Sequence, residues 1–256
     1  MRSSNNSMNI FDRLSMIGLG LQATKQLFAL SEHATVDDSA LESTDAADLL
    51  PVGALLVPVT DSLVKVAVLY GLSGLSALMN ANSSKAETKA GWGAFQKSQL
   101  NAGQVWRILS YSLVHPSFAA ALREGAAVSI LGTATTRFQS FSLAFSAVRL
   151  GIFVPLLVTA PQADDDAVLT NMSGSSYCLL GVFLASLATD RQRLTFRSQQ
   201  DVLAATALGV LCSQMLSGLL QSKGSARKAG LASLGAGVIS TLIMQIVRRV
   251  NANKPE

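Results

Sequence analysis

The run Asn171-Met172-Ser173-Gly174-Ser175-Ser176-Tyr177-Cys178-Leu179-Leu180-Gly181 sets a Ser-Gly pair, a Tyr four residues after the serine and a Gly eight residues after it inside an apolar segment. That segment is one of six. The others are Leu55 to Met79, Ile108 to Gly132, Phe141 to Ala160, Val202 to Leu220 and Ala229 to Val247, and the quoted run sits in Val168 to Ala188. Most are near the roughly 20 residues a helix needs to cross the hydrocarbon layer. Backbone polar groups must be satisfied in lipid, so all six read as helices. The chain has 256 residues, 49% hydrophobic and 14% charged, with a mean hydropathy of +0.37. Those values favour a membrane domain over a soluble helical bundle. The reading is an all-α, polytopic membrane protein with six transmembrane helices.

Three regions follow from the composition. Residues 1–50 hold Ile10, Phe11, Leu14, Ile17, Leu21 and Phe28 near helical spacing, with Arg2, Arg13 and Lys25 among them and Asp12 as the one acid before Glu32. Asp37, Asp38, Glu42, Asp45 and Asp48 then follow in quick succession. A basic, amphipathic, acid-poor start resembles a mitochondrial targeting segment; a surface-lying amphipathic helix is the alternative. Residues 51–250 form the membrane domain, and residues 251–256 a short tail. The net charge of +4 is scattered between apolar segments, which speaks against nucleic-acid binding. Cys178 and Cys212 read as buried free thiols, and no ligand spacing suggests a metal or cofactor.

The serine run resembles the fourth transmembrane helix of rhomboid intramembrane proteases, with Ser173 at the position of the nucleophile. A second match is Trp106-Arg107 followed by Ile108-Leu109-Ser110 and Leu113-Val114-His115, similar to the rhomboid Trp-Arg pair and the stretch ending in His. The loop from Asn80 to Val105 has the length and place of the family's half-sunk first loop. The resemblance implies a six-helix rhomboid-like bundle. It also implies that chemistry is lost. The family needs a histidine on its sixth helix, yet the two histidines here, His33 and His115, both precede Ser173. The family's second His and its oxyanion-binding Asn correspond to Ala120 and Glu124, and a carboxylate opposes a developing negative charge. On the sixth segment Ala232-Ser233-Leu234-Gly235-Ala236-Gly237 is the nearest match to the family's Ala-His and small residues, which places Ser233 at the histidine. The glycine two before the serine is replaced by Asn171.

A serine without an adjacent base is a poor nucleophile, and Lys228 lies at the membrane edge. Ser173 therefore reads as a small residue that lets the fourth and sixth helices approach, and Gly235 and Gly237 mark the sixth segment for close helix packing; Gly174 and Gly181 stand with them, and with Trp106, Arg107, His115, Glu124, Arg149 and Tyr177, as structural or client-binding candidates. Tyr177 reads as core with its hydroxyl bonded across helices, and His115 as a polar residue near the membrane surface. Intramembrane charges suggest a Glu124–Arg149 pair at matched depth on consecutive helices, or else Arg123 and Glu124 near an interface. Asp61 and Lys65, four residues apart, suggest a pair within the first helix.

The resemblance implies an inactive rhomboid-like protein, similar to derlins, to the ubiquitin-associated-domain rhomboid-like proteins of the endoplasmic reticulum and to rhomboid-like subunits of the trypanosome mitochondrial inner-membrane translocase. Its implied role is to bind other integral membrane proteins within the bilayer, in protein translocation or quality control, without cleavage. The N-terminal pattern and the short tail favour the mitochondrial inner membrane over the endoplasmic reticulum. Two other classes stay open: a structural subunit of a respiratory or ATP-synthase assembly, and an active serine protease with an unusual base.

Overall fold

The computed structural model describes residues 50–51, 63–80, 86–190, 194–196 and 198–252. The N-terminal segment read over residues 1–50 lies outside them except for Leu50, and so does Asp61 of the expected Asp61–Lys65 pair. Among the described residues the fold is all-α, with nine helices and one two-residue parallel pairing of β1 (Leu50–Pro51) with β2 (Leu194–Thr195). The helices are α1 (Leu63–Asn80), α2 (Ala86–Gly91), α3 (Lys97–Asn101), α4 (Arg107–Ser110), α5 (Phe118–Phe138), α6 (Phe141–Thr159), α7 (Gly174–Asp190), α8 (Gln199–Gln221) and α9 (Gly224–Ala252).

Each of the six apolar segments contributes a long helix, but the expectation of six spans is corrected to three among the described residues. Phe141–Gln162, Gln199–Gln221 and Gly224–Val250 are long and apolar enough to cross a membrane, as in an integral membrane protein. In α1 and α7 the apolar stretches are shorter, Ala67–Asn80 and Gly174–Thr189. Helix α5 has 21 residues but carries Arg123, Glu124 and Arg137. Two segment starts also move. The second helix begins at Phe118, not Ile108, because Pro116 precedes the N-cap Ser117, whose hydroxyl accepts from Ala120 N–H at 3.2 Å. The fourth begins at Gly174, not Val168, because residues 168–173 run as an extended loop.

Helix α7 is the centre of the bundle, packed by α5, α6 and α9. Small residues make that packing possible. A Cβ on Gly237 would lie 2.0 Å from the Cys178 carbonyl oxygen, and one on Gly181 would lie 2.2 Å from that of Leu234. On the other flank a Cβ on Gly174 would lie 2.1 Å from the Gly151 oxygen. Pro155 has no N–H to offer the carbonyl four residues before it, which is that of Gly151. Helices α1 and α5 meet where Gly125 faces Ser73 and Gly132 faces Leu69. Leu179, Leu180, Val182 and Phe183 fill the core around α7.

Two loops close over the start of α7. Phe95 and Leu169 exchange backbone hydrogen bonds of 2.9 and 2.8 Å, and Ser98 N–H donates to Asp165 O at 3.0 Å. Arg107 is buried and ties the first loop to itself, donating to Ala90 O at 2.6 Å, Ala94 O at 2.7 Å and Gln104 Oε1 at 2.6 Å. Trp106 stands exposed with the Arg107 guanidinium 5.0 Å from its ring centre. The Tyr111 hydroxyl donates to Ile152 O, joining the same loop to α6.

Candidate functional site

The site is the N-terminal end of α7. A helix start leaves backbone N–H groups without partners in the helix and favours negative charge. Here a carboxylate from another helix meets it. Glu124 on α5 is 6% exposed and accepts from Ser176 N–H at 3.2 Å and from the Ser176 hydroxyl at 2.7 Å. Ser173 itself has φ +57°, a left-handed conformation uncommon for a residue with a Cβ. Its N–H donates to Asn171 Oδ1 at 2.7 Å, the local side-chain bond that supports such a turn.

Asn171 links this turn to the loop before α5. Its N–H donates to Val114 O at 2.8 Å and its Nδ2 to Ser112 O at 2.6 Å, with His115 Nε2 3.4 Å from the same nitrogen. From the opposite side Asn80, at the end of α1, donates to Leu113 O at 2.6 Å and accepts from His115 N–H at 2.5 Å. Two asparagines thus fix residues 112–115. His115 is 2% exposed, and burial pushes its imidazole down to about 4, so the ring is neutral at ordinary pH.

Several expected site residues meet here and others do not. Ser173, Gly174, Glu124 and His115 belong to this end of α7. Ala120 is in the first turn of α5, where its N–H donates to the cap hydroxyl of Ser117. Ser173 is not the residue that lets helices approach; Gly174, Gly181 and Gly237 do that, while a Cβ on Gly235 would meet nothing within 4 Å. The Glu124–Arg149 pair is absent. Glu124 turns to Ser176, and Arg149 is exposed with its guanidinium 4.4 Å from the Phe145 ring centre. The depth argument failed with the segment ends. Glu124 lies fourteen residues from the end of α5 and Arg149 eight from the start of α6, an axial offset of about 9 Å.

Ser233 does not face the site either. It is fully buried, and its hydroxyl donates to Ala229 O at 2.9 Å within its own helix. The α9 residue against the Tyr177 ring is Gly230, where a Cβ would lie 3.3 Å from two ring carbons. The Tyr177 hydroxyl reaches Met215 O on α8 at 3.5 Å, so that side chain bonds across helices as expected. Cys178 and Cys212 are free thiols. Asn80, Ser176, Gly151 and Gly230 were missed by sequence reasoning. Among the described residues no three His, Cys, Asp or Glu side chains come together as a metal site.

Comparison with protein-family models, with curated proteins and with solved structures returns no match for this chain.

Proposed function

We propose that this chain is a catalytically inactive, rhomboid-like membrane protein that binds transmembrane segments of other proteins. The observation that carries the reading is the Glu124 carboxyl group at the start of α7, bonded to the Ser176 N–H and hydroxyl. An acyl-transfer site needs hydrogen-bond donors aimed where negative charge develops. Here the chain's own carboxyl group takes those donors before any substrate arrives. A serine also needs a base within hydrogen-bond reach. Glu124 is held as an acceptor by Ser176, and the α9 residue opposite Tyr177 is a glycine. The scaffold keeps the serine turn and lacks the chemistry.

Helix α8 supports the binding role. Only 17% of its span residues are buried, against 33% in α6. Val202, Leu203, Val210 and Leu220 are exposed along it, with Leu203 at 64%. Polar atoms of the bundle interior beside it could satisfy a client helix that lipid would not. Protein translocation or quality control in the mitochondrial inner membrane is the setting we favour, on the basic amphipathic pattern of residues 1–31.

The test is site-specific photo-crosslinking in membranes from Leu203 and Leu220, followed by mass spectrometry of the captured chains. Capture of varied membrane proteins in transit, or of translocation machinery, is the expected result. Capture of one fixed set of respiratory or ATP-synthase subunits at constant stoichiometry would replace this reading with a structural one.

A further inference from the structure

A second feature lies away from the serine turn, at the end of α6. An apolar groove of about 650 Å3 runs between the first loop and the last turns of α6, lined by Phe95, Leu100 and Ile108 on one side and Phe153, Leu157 and Ala160 on the other. Its volume falls within the roughly 300–1,000 Å3 of small-molecule sites. Leu157 is 73% exposed at its edge. We infer that this groove holds one acyl chain of a zwitterionic, amine-bearing phospholipid. The inference needs α6 to span the membrane and does not depend on the serine site being silent.

Three observations identify the occupant. The first is depth. The span that contains the groove wall ends at Gln162, and Phe153 to Pro161 are its last residues, within about 14 Å of that end at 1.5 Å per residue. The groove therefore begins among acyl chains and ends at headgroup level. The second is the indoles. Trp92 and Trp106 are exposed on the same loop cap, the position such side chains take at a membrane–water interface. The third is charge. The stem of Lys97 lines the groove, while its ammonium donates to Ala163 O at 2.5 Å and lies 3.9 Å from Asp165. Asp164, Asp165 and Asp166 are all exposed beside it. A phosphate can pair with Lys97 and an ammonium with the aspartates. An anionic headgroup without an amine meets three carboxylates against one lysine and is repelled.

The test uses the full chain in lipid nanodiscs containing a phosphatidylethanolamine or a phosphatidylglycerol with the same photoreactive acyl chain, with adducts mapped by mass spectrometry. The ethanolamine lipid should label peptides that include Ile108 and Leu157. Ala160→Trp, which fills the groove, should cut that labelling about tenfold, a loss of roughly 1.4 kcal/mol, and Leu203→Trp on α8 should not. Lys97→Ala leaves the groove open and should narrow the preference between the two lipids. Its unfolding midpoint and that of Ala160→Trp, compared with wild type, show whether the fold is kept. Labelling spread evenly over α6, α8 and α9 and indifferent to Ala160→Trp would overturn the site. Equal labelling by the two lipids would overturn the headgroup assignment, and a groove crosslinked to another polypeptide in place of lipid would overturn the occupant.

Discussion

Helices α7 and α8 follow one another and are both apolar, yet α7 is nearly enclosed and α8 is mostly exposed. Apolarity does not separate them. What separates them is where backbone can approach backbone. Helix α7 meets carbonyl oxygens of its neighbours at Gly174 and Gly181 and sets its own Cys178 carbonyl against Gly237, whereas a Cβ on Gly209 in α8 would meet nothing within 4 Å. In lipid the hydrophobic effect offers no reason for one apolar helix to prefer another, so close contact through small residues decides which helix becomes the core. The polar start of α7 can then be buried because α5 and the loops supply its partners. The proposed client-facing surface falls on the helix without such contacts.

The sharpest way to break this contrast is at Gly237. Gly237→Leu pushes a side chain into the Cys178 carbonyl and should cost at least about 3 kcal/mol or abolish folding. Gly209→Leu on α8 should change the thermal midpoint in detergent little. Equal effects would show that α7 is not set apart by its packing. Next in size is Glu124→Ala, which strips the buried Ser176 N–H and the Ser176 hydroxyl of their acceptor and should cost on the order of 3 kcal/mol. Removing Arg149, exposed over Phe145, should cost less than about 1 kcal/mol, so a double-mutant cycle between the two should show no coupling.

The pH dependence of stability gives a comparable but gentler test. His115 has a folded-state value of about 4 against an ordinary value of 6.5, so the unfolded chain binds the proton more readily. Its contribution is complete above pH 6.5 and falls as the pH drops toward 4, by at most about 3 kcal/mol. His115→Gln should flatten that slope between pH 6.5 and 4 in urea unfolding. An unchanged slope would mean the imidazole is not held neutral by burial.

Much of the fold was legible in the apolar segments, because length and hydropathy report a helix that must satisfy its own backbone. The segment ends were less so. Ile108 to Leu113 is as apolar as a helix start, but Pro116 and Ser117 move the true start of α5 ten residues on. The end moved too, from Gly132 to Phe138, and that shift undid the depth match behind the Glu124–Arg149 pair. At the site, Ser173, Gly174, Tyr177 and Glu124 could be singled out by spacing. Asn171 was noticed only as a lost glycine, although an Asn two residues before a strained serine has a local mechanism, the bond to its N–H. Asn80 and Gly230 act through partners 35 and 53 residues away, and no local pattern announces such contacts.

The most direct test of the silent serine turn is covalent labelling of the purified full-length protein by a fluorophosphonate probe, beside Ser173→Ala and the double variant Glu124→Asn/Gly230→His. The wild type should stay unlabelled under conditions that label an active serine hydrolase, and any gain should appear only in the double variant, where a donor replaces the carboxylate and a base faces Tyr177. Labelling of the wild type that disappears in Ser173→Ala would contradict the reading, because Ser173 would then be nucleophilic with Glu124 in place.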